Sequence, residues 1–231
     1  WLCFLTVYLN PVTCKKRSNI CTLEPSIITQ IWNVGMSPDS INNIAPPWSF
    51  SHVGLYVKDL DRMAAFYLQA FSMVETDAGP ARGHHIRFLT RDAREHHQVV
   101  LETSRTTDET TIQQLSFRFH CLDDLRLMKA RIENLPDDVL SEDMLPYGVN
   151  HGNAWSLYCH DPEGNRIEMF LDSPFYVRQP CIDKLDLSLT DAEILKATID
   201  AFGDDVATRP WKDWSNELAD KLAEDRGPAC E

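Results

Sequence analysis

Four side chains stand where metal chemistry would need them. His52 opens a patterned strand, and Gln114 opens a second one about sixty residues later. Glu102 and Glu168 close two further strand patterns, again at equivalent places. An imidazole, an amide oxygen and carboxylates converging from the ends of strands make a shell for a borderline divalent cation. A His and carboxylate face with open positions suits non-haem Fe(II), while Mn(II), Ni(II) and Zn(II) accept similar shells. Each residue also has a plainer reading. Gln at a strand start is more often simply hydrogen-bonded. Glu168 is harder to dismiss, because Ile167, Met169 and Phe170 surround it, and a carboxylate in an apolar strand is costly unless paired or bound to a cation.

The elements that must position these residues come in two similar series. In the first, residues 51–57 alternate as a strand, and Asp59-Leu60-Asp61 starts a helix carrying Met63, Phe66 and Ala70. A short strand near Met73–Glu75 follows, then His85–Thr90 and His97–Glu102. In the second, the spacing predicts a strand at Gln114–Phe119, a helix from Leu122 with Leu125, Met128 and Ile132 on one face, and a weak strand at Val139–Asp143. Strands at Ala154–Cys159 and Arg166–Leu171 complete it, joined by the turn Asp161-Pro162-Glu163-Gly164-Asn165. The runs SHVGLYVKDLDRM and QQLSFRFHCLDDL align in pattern, with Leu60 against Leu122 and Asp61 against Asp123. The expected fold is α+β: two βαβββ modules, 50–104 and 112–173, forming a half-open β-barrel around a metal site. Together they make a domain at 50–175. Beyond it, 176–231 reads as a helical tail, with a capping box at Thr190–Glu193 and a second amphipathic helix through Trp211, Trp214, Leu218 and Leu222. Those helices are expected to pack on the sheets, with an oligomer contact through the two Trp as the alternative.

Composition narrows the function classes. Of 231 residues, 22 are Lys or Arg and 35 Asp or Glu, a net charge of −13. This excludes a nucleic-acid binder of the usual cationic kind and a surface that docks on anionic lipid. No apolar run reaches the roughly 18 residues of a spanning helix. Seven Cys, an odd number without a CxxC pair, do not make a secreted disulfide framework, so a cytoplasmic setting is expected. Residues 1–49 read as an N-terminal extension without a targeting pattern. The first Met is Met36, and 1–35 are expected to be an upstream extension foreign to the working protein.

The runs SHVGLYVKDLDRMAAFY, its repeat at 113–125, and DPEGNRIEMF at 161–170 resemble the vicinal oxygen chelate superfamily, which includes glyoxalase I, fosfomycin-resistance proteins and extradiol dioxygenases. Within it the chain is most similar to short, two-module extradiol catechol dioxygenases. EHHQVVLE (95–102) resembles their paired-His strand, and Tyr158 lies ten residues before Glu168 as their active-site Tyr does before the Glu ligand. SPFYVRQP and LDLSLTDAEI resemble the tail of such proteins. The resemblance implies an Fe(II)-dependent oxidoreductase that takes a small aromatic substrate and dioxygen, and members often pair as homo-oligomers. It makes His52, Gln114 and Glu168 the metal ligands, with Gln114 departing from the family's second His. It makes His97 the acid–base residue and Tyr158 a hydrogen-bond donor to substrate. His151, two residues from the column where the family carries another His and this chain has Asn153, could assist.

Two other readings stay open. A glyoxalase-like isomerase or lyase would use Glu102 as a fourth ligand, and a degenerate binding protein would have lost metal chemistry at Gln114. Strand parity separates the dioxygenase reading from the glyoxalase-like one. His97 and Glu102 are five apart, so an unbroken strand turns them to opposite faces.

Overall fold

The computed structural model describes residues 49–110, 112–140, 144–205 and 208–224. The expectations for 1–48 therefore lie outside the described residues, as do 141–143 of the weak strand. Everything described belongs to one compact unit, Pro46–Glu231.

The first module runs β1 (Val53–Tyr56), α1 (Leu60–Phe71), β2 (Val74–Ala81), β3 (His84–Thr90) and β4 (Val99–Glu102). The second repeats it as β5 (Leu115–Arg118), α2 (Leu122–Glu133), β6 (Tyr147–Asn150), β7 (Ala154–His160) and β8 (Arg166–Asp172). Sheet order is β1-β4-β3-β2 in one and β5-β8-β7-β6 in the other, where β10 (Asp183–Lys184) extends the edge beyond β6. The first and last strands of each module pair in parallel, and the rest is an antiparallel meander. The two-module α+β expectation holds, and the described strands of the modules form two open sheets rather than a closed barrel.

Helix α1 begins where Asp59 accepts a hydrogen bond from the Arg62 N–H at 3.0 Å, and ends at Ser72 in the left-handed conformation, φ 51°. Met63, Ala64, Phe66, Tyr67 and Ala70 line its buried face. Each large side chain so buried contributes about 1.5–3 kcal/mol. Phe71 meets Phe117 of the second module at 4.6 Å between ring centroids, and one apolar cluster spans both modules. The Asp161–Asn165 turn adds polar ties. The Asp161 carboxylate accepts from the Glu163 and Asn165 N–H groups and from the Tyr67 hydroxyl, and Gly164 takes φ 81°. Glu163 accepts from the backbone N–H groups of Lys58 and Asp59 at 2.6 and 2.8 Å, and pairs with Arg105 at 3.1 Å.

Three expectations need correction. Val139 lies in a turn, closed by its N–H on Pro136 O, rather than in a strand. The module's second strand is instead β6, which lies beyond the predicted 139–143 and includes Val149 and Asn150. It forms through distant partners: Gly148 lies so close to Leu185 that a Cβ would meet its carbonyl oxygen at 2.3 Å, and buried Asn150 donates to Thr198. In the tail, α3 (Asp191–Phe202) packs inward through Ile194 and Thr198. Helix α4 (Trp211–Glu224) instead rests on the small ribbon of β9 (Phe175–Tyr176) and β11 (Arg209–Pro210), with Trp214 stacked on Tyr176 at 5.1 Å and Leu218 and Leu222 exposed.

Candidate metal centre

Register fixes which side chains share a face. In the first sheet, Tyr56 pairs with Glu102, Glu102 with Ile86, and Val100 with Phe88, so these lie opposite the face that α1 covers. In the second, Glu168 pairs with both Ser116 and Tyr158, and Tyr158 with Tyr147. The apolar residues Leu115, Phe117, Ile167, Met169 and Leu157 point the other way, into the core. The helix-free face of the first sheet thus carries Glu102, and that of the second carries Ser116, Tyr158 and Glu168.

The second module gathers the expected Gln114, Glu168, Tyr158 and His151. Glu168, 8 % exposed, accepts four hydrogen bonds: from Gln114 Nε2 (2.8 Å), Ser116 Oγ (2.6 Å), Ser156 Oγ (2.9 Å) and Tyr158 OH (2.6 Å). His151 Nε2 lies 3.0 Å from the Tyr158 hydroxyl, and its Nδ1–H donates to the Cys181 carbonyl at 2.8 Å. Gln114 Oε1 accepts from Arg166 at 3.1 Å, and that guanidinium lies over the Tyr158 ring. Burial, then the hydrogen bond and charge of Glu168, hold the Tyr158 hydroxyl well above the ordinary phenol range. At neutral pH it is a proton donor.

The first module gathers His52 and His97, with ring centroids 4.3 Å apart. Ser51 donates its hydroxyl proton to Glu95 at 2.8 Å, so its oxygen faces His52 Nδ1, at 3.2 Å, as an acceptor. That places the proton on Nδ1 and leaves the Nε2 lone pair of His52 for a cation. Burial first, then His52 and His96, lower the pKa of His97. The parity argument fails. Strand β4 starts only at Val99 and the chain bends at Gln98, so His97 packs on Phe88, whose partner Val100 shares its face with Glu102. His97 and Glu102 therefore occupy the same face, and Glu102 pairs there with Arg82 at 3.3 Å.

A divalent cation suits this donor set in one specific respect. All four partners of buried Glu168 are neutral, and among the described residues no ion pair reaches it, whereas a buried carboxylate ordinarily has a cationic partner. Among the described residues no three His, Cys, Asp or Glu side chains gather as a metal-holding group. The resemblance offers Gln114 as a further ligand beside His52 and Glu168, and Gln114 is in hydrogen-bond contact with Glu168. Its amide nitrogen now faces Glu168, so ligation through oxygen requires the amide to turn over and release Arg166. Several contributors escaped the sequence reading: Ser116, Ser156, Arg166, Ser51 and Glu95. For Ser116, Ser156 and Arg166 the signal was polar residues at every second position of otherwise apolar strands.

A model of the Glyoxalase/Bleomycin resistance protein/Dioxygenase superfamily matches residues 49–169. No curated protein matches the sequence significantly. Similar solved structures include a glyoxylase/bleomycin resistance protein/dioxygenase domain from Frankia sp. EAN1pec, 18% identical over 55% of this chain and 100% of that one, with a TM-score of 0.46. Lactoylglutathione lyase from Agrobacterium tumefaciens is 19% identical over 55% and 96%, TM-score 0.41. The fosfomycin resistance protein FosX from Listeria monocytogenes, complexed with Mn(II) and sulfate, is 20% identical over 54% and 93%, TM-score 0.42. With the family match spanning more than half of its length and the duplicated βαβββ topology, the chain belongs to the glyoxalase/bleomycin resistance/dioxygenase, or vicinal oxygen chelate, superfamily.

Proposed function

We propose that the chain is a metal-dependent, extradiol-type ring-cleavage dioxygenase acting on a catechol or similar small aromatic. The observation that carries this reading is the Tyr158–Glu168 pair, a protonated phenol donating to a buried carboxylate that no ion pair reaches among the described residues, with His151 Nε2 3.0 Å from the same hydroxyl. Glu168 and His52, with Gln114 turned over, would hold the cation: Fe(II) by resemblance, with Mn(II), Ni(II) or Zn(II) as alternatives. When bound, it would supply Lewis acidity toward the two catechol oxygens and redox access to dioxygen.

The chain's own residues then have distinct tasks. His97, kept neutral by its surroundings, takes a proton from a substrate hydroxyl and returns it later. Tyr158 is free to donate to a substrate oxygen once Glu168 no longer needs its proton, and the bare Nε2 of His151 is a second acceptor beside the hydroxyl. The helix-free faces of the two sheets would orient the ring, with the apolar core packed behind them.

Aerobic incubation of Fe(II)-loaded protein with a catechol panel should consume dioxygen and give a yellow ring-fission product. Bound iron without product overturns the proposal. A glyoxalase-like isomerase or lyase is favoured by one observation, the placement of Glu102 on the same face as His97. That activity would need no dioxygen and would be lost in Glu102→Gln. Absence of stoichiometric metal would point to a non-catalytic binding member, the reading that Gln114's present hydrogen bonds favour.

A further inference from the structure

We propose that Asp77 and His96 are positioning residues for His97, fixing which of its ring nitrogens carries the proton. The inference rests on the assignment of His97 as the acid–base residue and extends it to two side chains outside the site.

The geometry forms a row of three groups. Asp77 Oδ2 lies 2.7 Å from His96 Nε2, and His96 Nδ1 lies 2.9 Å from His97 Nδ1. A carboxylate is acceptor only, so His96 Nε2 carries a proton and, in the neutral ring, His96 Nδ1 is bare. Two bare nitrogens at that separation would repel, so the remaining proton sits on His97 Nδ1. His97 Nε2 is then the bare nitrogen, available as the base. Phe88 keeps the row in place, since both imidazoles pack against its ring, at 5.6 Å for His96 and 5.0 Å for His97. Asp77 reaches His96 from β2, where the ladder with β3 shifts register between Glu75 and Asp77. An irregularity of this kind re-aims a side chain.

The same short segment thus orients both imidazoles of the first module. Glu95 acts on His52 through Ser51, and His96 acts on His97. A neutral imidazole has two tautomers of similar energy, and a single well-placed acceptor selects between them.

The test is a nitrogen-15 NMR measurement on the labelled full chain without added metal, at a pH well above the imidazole range. Long-range nitrogen–proton couplings report the tautomer of each ring, and His97→Gln assigns the His97 signals. Wild type should show His97 protonated at Nδ1. His96→Phe, which removes the acceptor, should shift His97 toward the Nε2–H form, and Asp77→Ala should shift it partly. His96→Asn, whose side-chain oxygen can take the place of Nδ1, should restore the wild-type form. Circular dichroism and the signals of the other imidazoles verify that each variant folds, and the wild-type tautomer is decisive even if one does not.

An Nε2–H His97 in wild type, or a tautomer indifferent to His96→Phe, overturns the proposal. On a catechol turned over by wild type, His96→Phe should lower kcat roughly 10-fold with KM little changed. If wild type binds iron and turns over no catechol, the ring-cleavage reading fails, and the NMR result alone decides the role of Asp77 and His96.

Discussion

Gln114 is held by opposite partners at its two ends: Arg166 donates to its oxygen, and its nitrogen donates to Glu168 and Ser116. An amide so placed resists turning over, so Gln114→His should raise affinity for Fe(II) and Ni(II), since imidazole is the stronger ligand. Isothermal titration of metal-free protein measures the change, and equal or weaker binding would show that the amide already serves as well. Tyr158→Phe removes a charge-assisted hydrogen bond from Glu168 and should cost about 2 kcal/mol in metal-free protein, read from urea unfolding. One residue further along, Cys159 points into the core, and burial with Asp161 nearby pushes its thiol up to about 12. Alkylation of the native chain at pH 8 should therefore spare Cys159 and modify exposed Cys121, as peptide mapping by mass would show.

Among the elements, α3 shows how much the chain writes locally. Thr190 accepts from the Glu193 N–H, and the Glu193 carboxylate accepts from the Thr190 N–H and hydroxyl. Those bonds hold the Glu193 carboxyl below the usual carboxylate range. A carboxyl whose pKa is lowered on folding adds stability above its unfolded value and loses it as pH falls through the folded one. Thr190→Ala should cost about 1 kcal/mol at pH 7, and the difference from wild type should shrink as pH falls below about 4. Thermal melts across that range measure it.

The capping box and both module helices were legible because their partners lie within four residues. Strand β6 was not, because Gly148 and Asn150 are fixed by Leu185 and Thr198, residues that no local pattern connects to them. The candidate centre divides the same way. His52, Glu168 and Tyr158 followed from repeat position and motif. Ser116 and Ser156 became visible only when register placed them on the carboxylate's face, and the bend at Gln98 overturned a parity argument that assumed an unbroken strand.

Within the described residues, the two halves are joined by one core and by the turn between the last two strands of the second module. Glu163 from that turn receives the first N–H groups leading into α1 and pairs with Arg105, both side chains under a tenth exposed. Breaking such a buried pair leaves a charge uncompensated, so Arg105→Ala should destabilise the fold by about 3–5 kcal/mol. Urea unfolding followed by far-ultraviolet circular dichroism checks this, and a loss below 1 kcal/mol would mean that water screens the pair. The described helices include none long and apolar enough to cross a membrane.

The matched sheet orders of the two modules have a consequence for how damage spreads. A protein built from two equal halves would carry each reactive group twice, and one copy could stand in for the other. Here His52 and His97 come from the first half, and Gln114, Tyr158, His151 and Glu168 from the second. The backbone has been duplicated, but where one half carries His52 the other carries Gln114, so at that position neither copy can stand in for the other.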